Sequence, residues 1–62
     1  MKLFEYMNRE NMLSLDESRR RFVAKMIVRE VQKVAAQQGI SEEEAYRLIS
    51  KGLYGGDREI DS

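Results

Sequence analysis

The first 38 residues contain neither Pro nor Gly, and the first Gly, Gly39, is followed at once by a helix-start signal. Nothing in that stretch is obliged to break a helix, whereas Gly39 is suited to stop one. The start of the main helix is read at Ser14-Leu15-Asp16-Glu17. A Ser at the cap accepts from the N–H three residues on, and a Glu there reaches back, which is a capping box. Asp16 and Glu17 also place negative charge at the positive end of the helix dipole. The expected helix runs to Gln38, about 24 residues or about 36 Å.

The second start is Ser41-Glu42-Glu43-Glu44, again a capping box, with Ile40 before it placed to pack on Ala45. Ala45, Leu48 and Ile49 mark one apolar face at helical spacing, and Lys51 and Gly52 close the segment. With so short a link, the two helices must turn sharply into a hairpin. Ahead of them, Leu3, Phe4 and Met7 fit a helical stripe bordered by Tyr6. Residues 2–7 also have the composition of a short strand, but no partner strand is visible, so the expectation is a short helix ending near Asn8 or Asn11. The fold class expected is therefore all-α, with a short N-terminal helix, one long helix and a short C-terminal helix. Residues 1–54 are read as one helical domain and residues 55–62, polar and Gly-rich, as a flexible acidic tail.

A chain of 62 residues holds one domain at most and buries a small core. Such chains commonly need a disulfide, a metal or a second subunit. Cys and His are both absent, which removes disulfides, thiolate and imidazole ligands and the usual neutral-pH acid–base group. Charged residues at 35% and hydrophobic ones at 42% suit a folded helical chain better than a disordered one. No apolar run approaches the roughly 20 residues of a membrane span, and Glu5 interrupts the only N-terminal apolar cluster. A cytoplasmic protein is expected.

The long helix carries more apolar surface than one neighbour covers. At about 100° per residue, Leu15, Phe22, Val23, Met26, Ile27 and Val34 share one sector. Ala24, Val28, Val31 and Ala35 widen it beyond the stripe used by a helix with a single neighbour. Two surfaces should pack on this helix. Phe22, Val23, Met26 and Ile27 lie too far from Gly39 for a short last helix to cover, so the expected fold is a homodimer paired through the long helix, with these residues at its core; a surface for a different partner is the alternative.

Charge is uneven although the net is zero. Residues 18–33 hold six basic groups and one acid, Glu30, whereas residues 1–17 hold two basic and four acidic groups. Arg21, Lys25, Arg29 and Lys33 recur every fourth residue and form a basic ridge, with Arg19 and Arg20 near its start. Such a ridge is a candidate contact for an acidic protein face or for nucleic-acid phosphates; on its own it is equally what a solvated helix face looks like.

Residues 34–41, with Ala45 and Leu48, resemble a helix-turn-helix. Similar Gly-Ile-Ser-x-x-x-Ala strings occur in RNA-binding ANTAR domains and in small helical-hairpin antirepressors. The resemblance implies a nucleic-acid-reading last helix. Here the first helix is much longer than that motif uses, and Glu42, Glu43 and Glu44 would face phosphates with the wrong sign. A ribbon-helix-helix with residues 12–15 as its strand meets the same excess length. No phosphate-cradling Gly loop, Ser–His pair or metal-ligand spacing is present, and successive Glu side chains on a helix point apart. No catalytic, cofactor-binding or metal-binding residue is assigned. The function expected is that of a small regulatory or inhibitory protein, of a bacterial or phage kind, that binds another protein. The alternative is a dimeric nucleic-acid-binding transcriptional regulator that uses the basic ridge.

Overall fold

The computed structural model describes residues 1–60, which form an all-α fold built around one long helix. Its elements are α1 (Leu3–Tyr6), α2 (Arg9–Leu13), α3 (Glu17–Gln38) and α4 (Glu42–Ser50). α3 has 22 residues, about 33 Å of helix, and so accounts for the 34 Å long axis of the molecule.

The cap of α3 differs from expectation. Asp16, not Ser14, is the N-cap, and its Oδ1 accepts from the Arg19 N–H at 2.9 Å. Ser14 instead closes the preceding helix, its Oγ donating to the Asn11 carbonyl at 2.6 Å. Two good capping residues stand close together here, and the one nearer the helix takes the role. The N-terminal segment holds two short helices rather than one. Asn8 separates them because its Oδ1 accepts from the Glu10 N–H at 2.8 Å and so starts α2. Residues 12–15, considered as a strand, form the end of α2 and a turn.

Gly39 ends α3 in the left-handed region at φ 65°, and the N–H groups of Gly39 and Ile40 both turn back to the Ala35 carbonyl. The Ser41 Oγ accepts from the Glu44 N–H at 3.1 Å, which starts α4 as expected. The reciprocal half of that capping box is replaced, because the Glu44 carboxylate pairs with Arg47.

α4 folds back on α3 and also touches α1. The core is one cluster, in which Val23, Ile27, Val31, Val34 and Ala35 of α3 meet Ala45 and Ile49 of α4. Leu3 and Tyr6 of α1 close it from the other side, and Ile60 completes it. Met7, Met12, Leu15, Met26 and Ile40 pack at its edge. The wide apolar sector of α3 is thus covered in part by the chain itself: α4 packs along it, and Leu3, Tyr6 and Ile60 join the same cluster.

The segment set apart as an acidic tail is not apart over its described part. Residues 51–57 form turns that bring 58–60 back beside the N-terminus. Leu3 N–H donates to the Arg58 carbonyl and Phe4 N–H to the Gly56 carbonyl, both at 2.8 Å. Lys2 and Glu59 form an antiparallel bridge, and Ile60 is 5% exposed. The strand-like partner that residues 2–7 lacked in the sequence is thus this returning segment. An apolar Ile at its end makes the return favourable, since burying such a side chain contributes about 1.5–3 kcal/mol. Asp61 and Ser62, also assigned to the tail, lie outside the described residues.

Candidate functional site

The face of α3 turned away from the core is its most distinctive surface. Arg21, Lys25, Arg29 and Lys33 all lie on it and are exposed. A spacing of four residues advances about 40° per step, so the cations wind across this face rather than forming a straight row. Arg21 is engaged, its guanidinium 2.7 Å from the Glu17 carboxylate one turn earlier. Among the described residues, no carboxylate lies within 4.0 Å of Lys25, Arg29 or Lys33.

The chain's acids are committed elsewhere or stand at its ends. Glu30, the only acid in the basic stretch 18–33, pairs with Arg58 at 3.3 Å. Glu59 pairs with the N-terminal ammonium at 2.9 Å, and that hydrogen bond holds the ammonium pKa above its ordinary value. The hydrogen bond from Arg47 holds the Glu44 carboxyl below the usual carboxylate range. Glu42 and Glu43 stand exposed in the first turn of α4.

Arg20 does not extend the ridge. Its side chain bends back to the end of α2, where Nη2 donates to the Leu15 carbonyl at 2.8 Å and Nε reaches the Met12 carbonyl at 3.4 Å. A cation suits the negative end of a helix dipole, so Arg20 ties α2 to α3. Nothing in the spacing of Arg19, Arg20 and Arg21 distinguishes the one that folds inward.

The four apolar residues expected to form a dimer or partner surface are divided. Val23 and Ile27 belong to the core of the chain itself, and Met26 packs at its edge. Phe22 alone stands out, 55% exposed. Val28, at 52%, is also exposed but lies about 120° around the helix from Phe22. Ala24, Lys25, Val28 and Arg29 line a shallow trough of about 330 Å³, the two apolar residues along one edge and the two cations along the other. The sequence places Ala24 and Val28 on the over-wide apolar sector, and the structure shows them to be part of what the chain's own elements leave uncovered.

A second concavity, of about 280 Å³, lies where Tyr6, Met7, Arg9, Met12, Leu13, Ile27 and Tyr46 meet. Its rim carries the exposed Leu13 and Tyr46. Among the described residues there is no group of three or more acidic side chains placed to hold a metal ion, and no helix is long and apolar enough to cross a membrane. Comparison with protein families, with curated proteins and with solved structures gives no match.

Proposed function

We propose that this chain is a small cytoplasmic regulatory or inhibitory protein that works by binding another protein along the solvent face of α3. The observation that carries this reading is the set of cations at Lys25, Arg29 and Lys33, without an ion-pair partner among the described residues, on successive turns of a helix whose opposite side is fixed in the core. A rigid helix presents these groups without ordering them anew on binding, which lowers the entropic cost of association. Because no carboxylate among the described residues lies within 4.0 Å of them, they are open to the attraction of an acidic partner face. The role is one of contact rather than catalysis.

Affinity capture from a lysate of the producing cell tests this, with the parent chain and the double variant Lys25→Glu/Arg29→Glu compared side by side. Glu, Lys and Arg are all good helix formers, so α3 should persist by circular dichroism. Proteins retained by the parent should be lost from the variant. Equal retention by both removes this face from the account. The same cations also fit phosphates, and a gel-shift with duplex DNA separates the two readings. Tight binding that falls steeply with salt would assign the ridge to nucleic acid instead.

A further inference from the structure

We propose that the trough lined by Ala24, Val28, Lys25 and Arg29 receives one large apolar side chain from an acidic amphipathic helix of the partner protein. This rests on the reading of α3 as the binding face and specifies what occupies it. The trough exists because Ala24, with a single methyl group, stands one turn before Val28 on the exposed side of α3. Its lining is mostly apolar, with Ala24 and Val28 along one edge and Lys25 and Arg29, cations with no ion-pair partner among the described residues, along the other. A fitting occupant offers an apolar group with negative charge beside it. Helix-in-groove recognition provides that arrangement, with anchors on one face of the ligand and charges on its flanks. The apolar contact supplies most of the affinity, while the flanking ion pairs steer the encounter and fix the register.

The same features disfavour two other occupants. A phosphate backbone takes up the cations but leaves the Ala24 and Val28 edge without a partner. A second copy of the chain, paired two-fold across Val28, brings both sets of Lys25, Arg29 and Lys33 to one seam. α3 has no free acid there to face them, since Glu30 is held by Arg58 and Glu17 by Arg21. Like charges at such a seam oppose the pairing.

The test titrates the full chain with three fluorescent probes at physiological salt. The first is a peptide of about 18 residues, or about 27 Å as a helix, with Leu along one face and Glu on its flanks. The second has the same composition in an order that breaks the apolar face. The third is a short DNA duplex. The first peptide should bind about tenfold or more tightly than the second, a difference typical of one buried apolar anchor. Ala24→Gln fills the trough with a neutral, polar side chain at an exposed position, so the fold should hold by circular dichroism. It should remove the advantage of the first peptide and leave the second unchanged. Equal binding of the two peptides, no effect of Ala24→Gln, no binding of either peptide, or tighter binding of the duplex each overturns the proposal. If the peptides bind equally and Lys25→Glu/Arg29→Glu abolishes both, the trough is excluded while the ridge keeps its role. If that double variant changes neither peptide binding nor affinity capture, the reading of the ridge itself fails.

Discussion

The guanidinium of Arg58 lies 3.3 Å from the carboxylate of Glu30, joining the returning C-terminal segment to the middle of α3. The Glu30 side chain is only 14% exposed, so this carboxylate has lost most of its contact with water. Removing one partner from such a pair leaves a poorly hydrated charge, which costs more than the pair itself contributes. Arg58→Ala should destabilise the fold by about 1 kcal/mol. In the background of Glu30→Gln the same change should cost much less, and chemical denaturation of the two single variants and the double variant checks the coupling.

Gly56 packs so closely under α4 that a Cβ there would stand 2.1 Å from the Ile49 carbonyl oxygen, a backbone atom that cannot swing aside. Gly56→Ala should therefore displace the segment that carries Arg58 and Ile60. We expect a loss of about 2 kcal/mol, with earlier hydrogen exchange at the Leu3 and Phe4 amides that this segment holds. An unchanged melt contradicts this packing.

Gly39 presents the opposite case. Nothing lies within 4 Å of a Cβ placed there, so only its φ of 65° resists substitution. Gly39→Val should lose more than about 1 kcal/mol, whereas Gly39→Asn should lose less, since Asn tolerates the left-handed region. Equal thermal melts for the parent and the Val variant contradict this.

The pairing of Glu44 with Arg47 predicts a pH dependence of defined sign. The folded-state pKa of Glu44 is lowered, first by its hydrogen bond from Arg47. Its contribution is thus complete above the unfolded glutamate pKa and is lost as pH falls through the lowered folded value. The stability difference between the parent and Glu44→Gln, read from denaturant midpoints, should be present at neutral pH and vanish in acid. A difference that grows in acid reverses the sign and contradicts the assignment.

The local features of this fold were legible because their causes are local. Gly39 and Ser41 each determine a backbone conformation or a cap within a turn of themselves. What packs with α3 and α4 was not legible. Leu3, Tyr6 and Ile60 join the core where the two ends of the chain pair at Lys2 and Glu59, a contact without periodicity to reveal it. For the same reason Val23 and Ile27 read as partner surface although the chain buries them itself. The basic ridge was visible as a spacing, but which of its cations are paired depended on where Glu17 and Glu30 turn.

With Val23 and Ile27 committed to the core, the apolar drive toward pairing through α3 is reduced to Phe22, Met26 and the Ala24–Val28 trough. Sedimentation at micromolar concentration should give a species of 7.3 kDa. A stable dimer that dissociates on Val28→Glu, with Lys25→Glu strengthening it, would make a second copy the occupant of the trough.

The most direct test of α3 as the binding face is the two-dimensional amide NMR spectrum of the labelled chain, recorded with and without the protein recovered by affinity capture. The account predicts that the largest shifts fall at Arg21, Ala24, Lys25, Val28 and Arg29, with small changes around the other concavity. Shifts concentrated at Tyr6, Arg9, Leu13 and Tyr46, with α3's solvent face unperturbed, would contradict it.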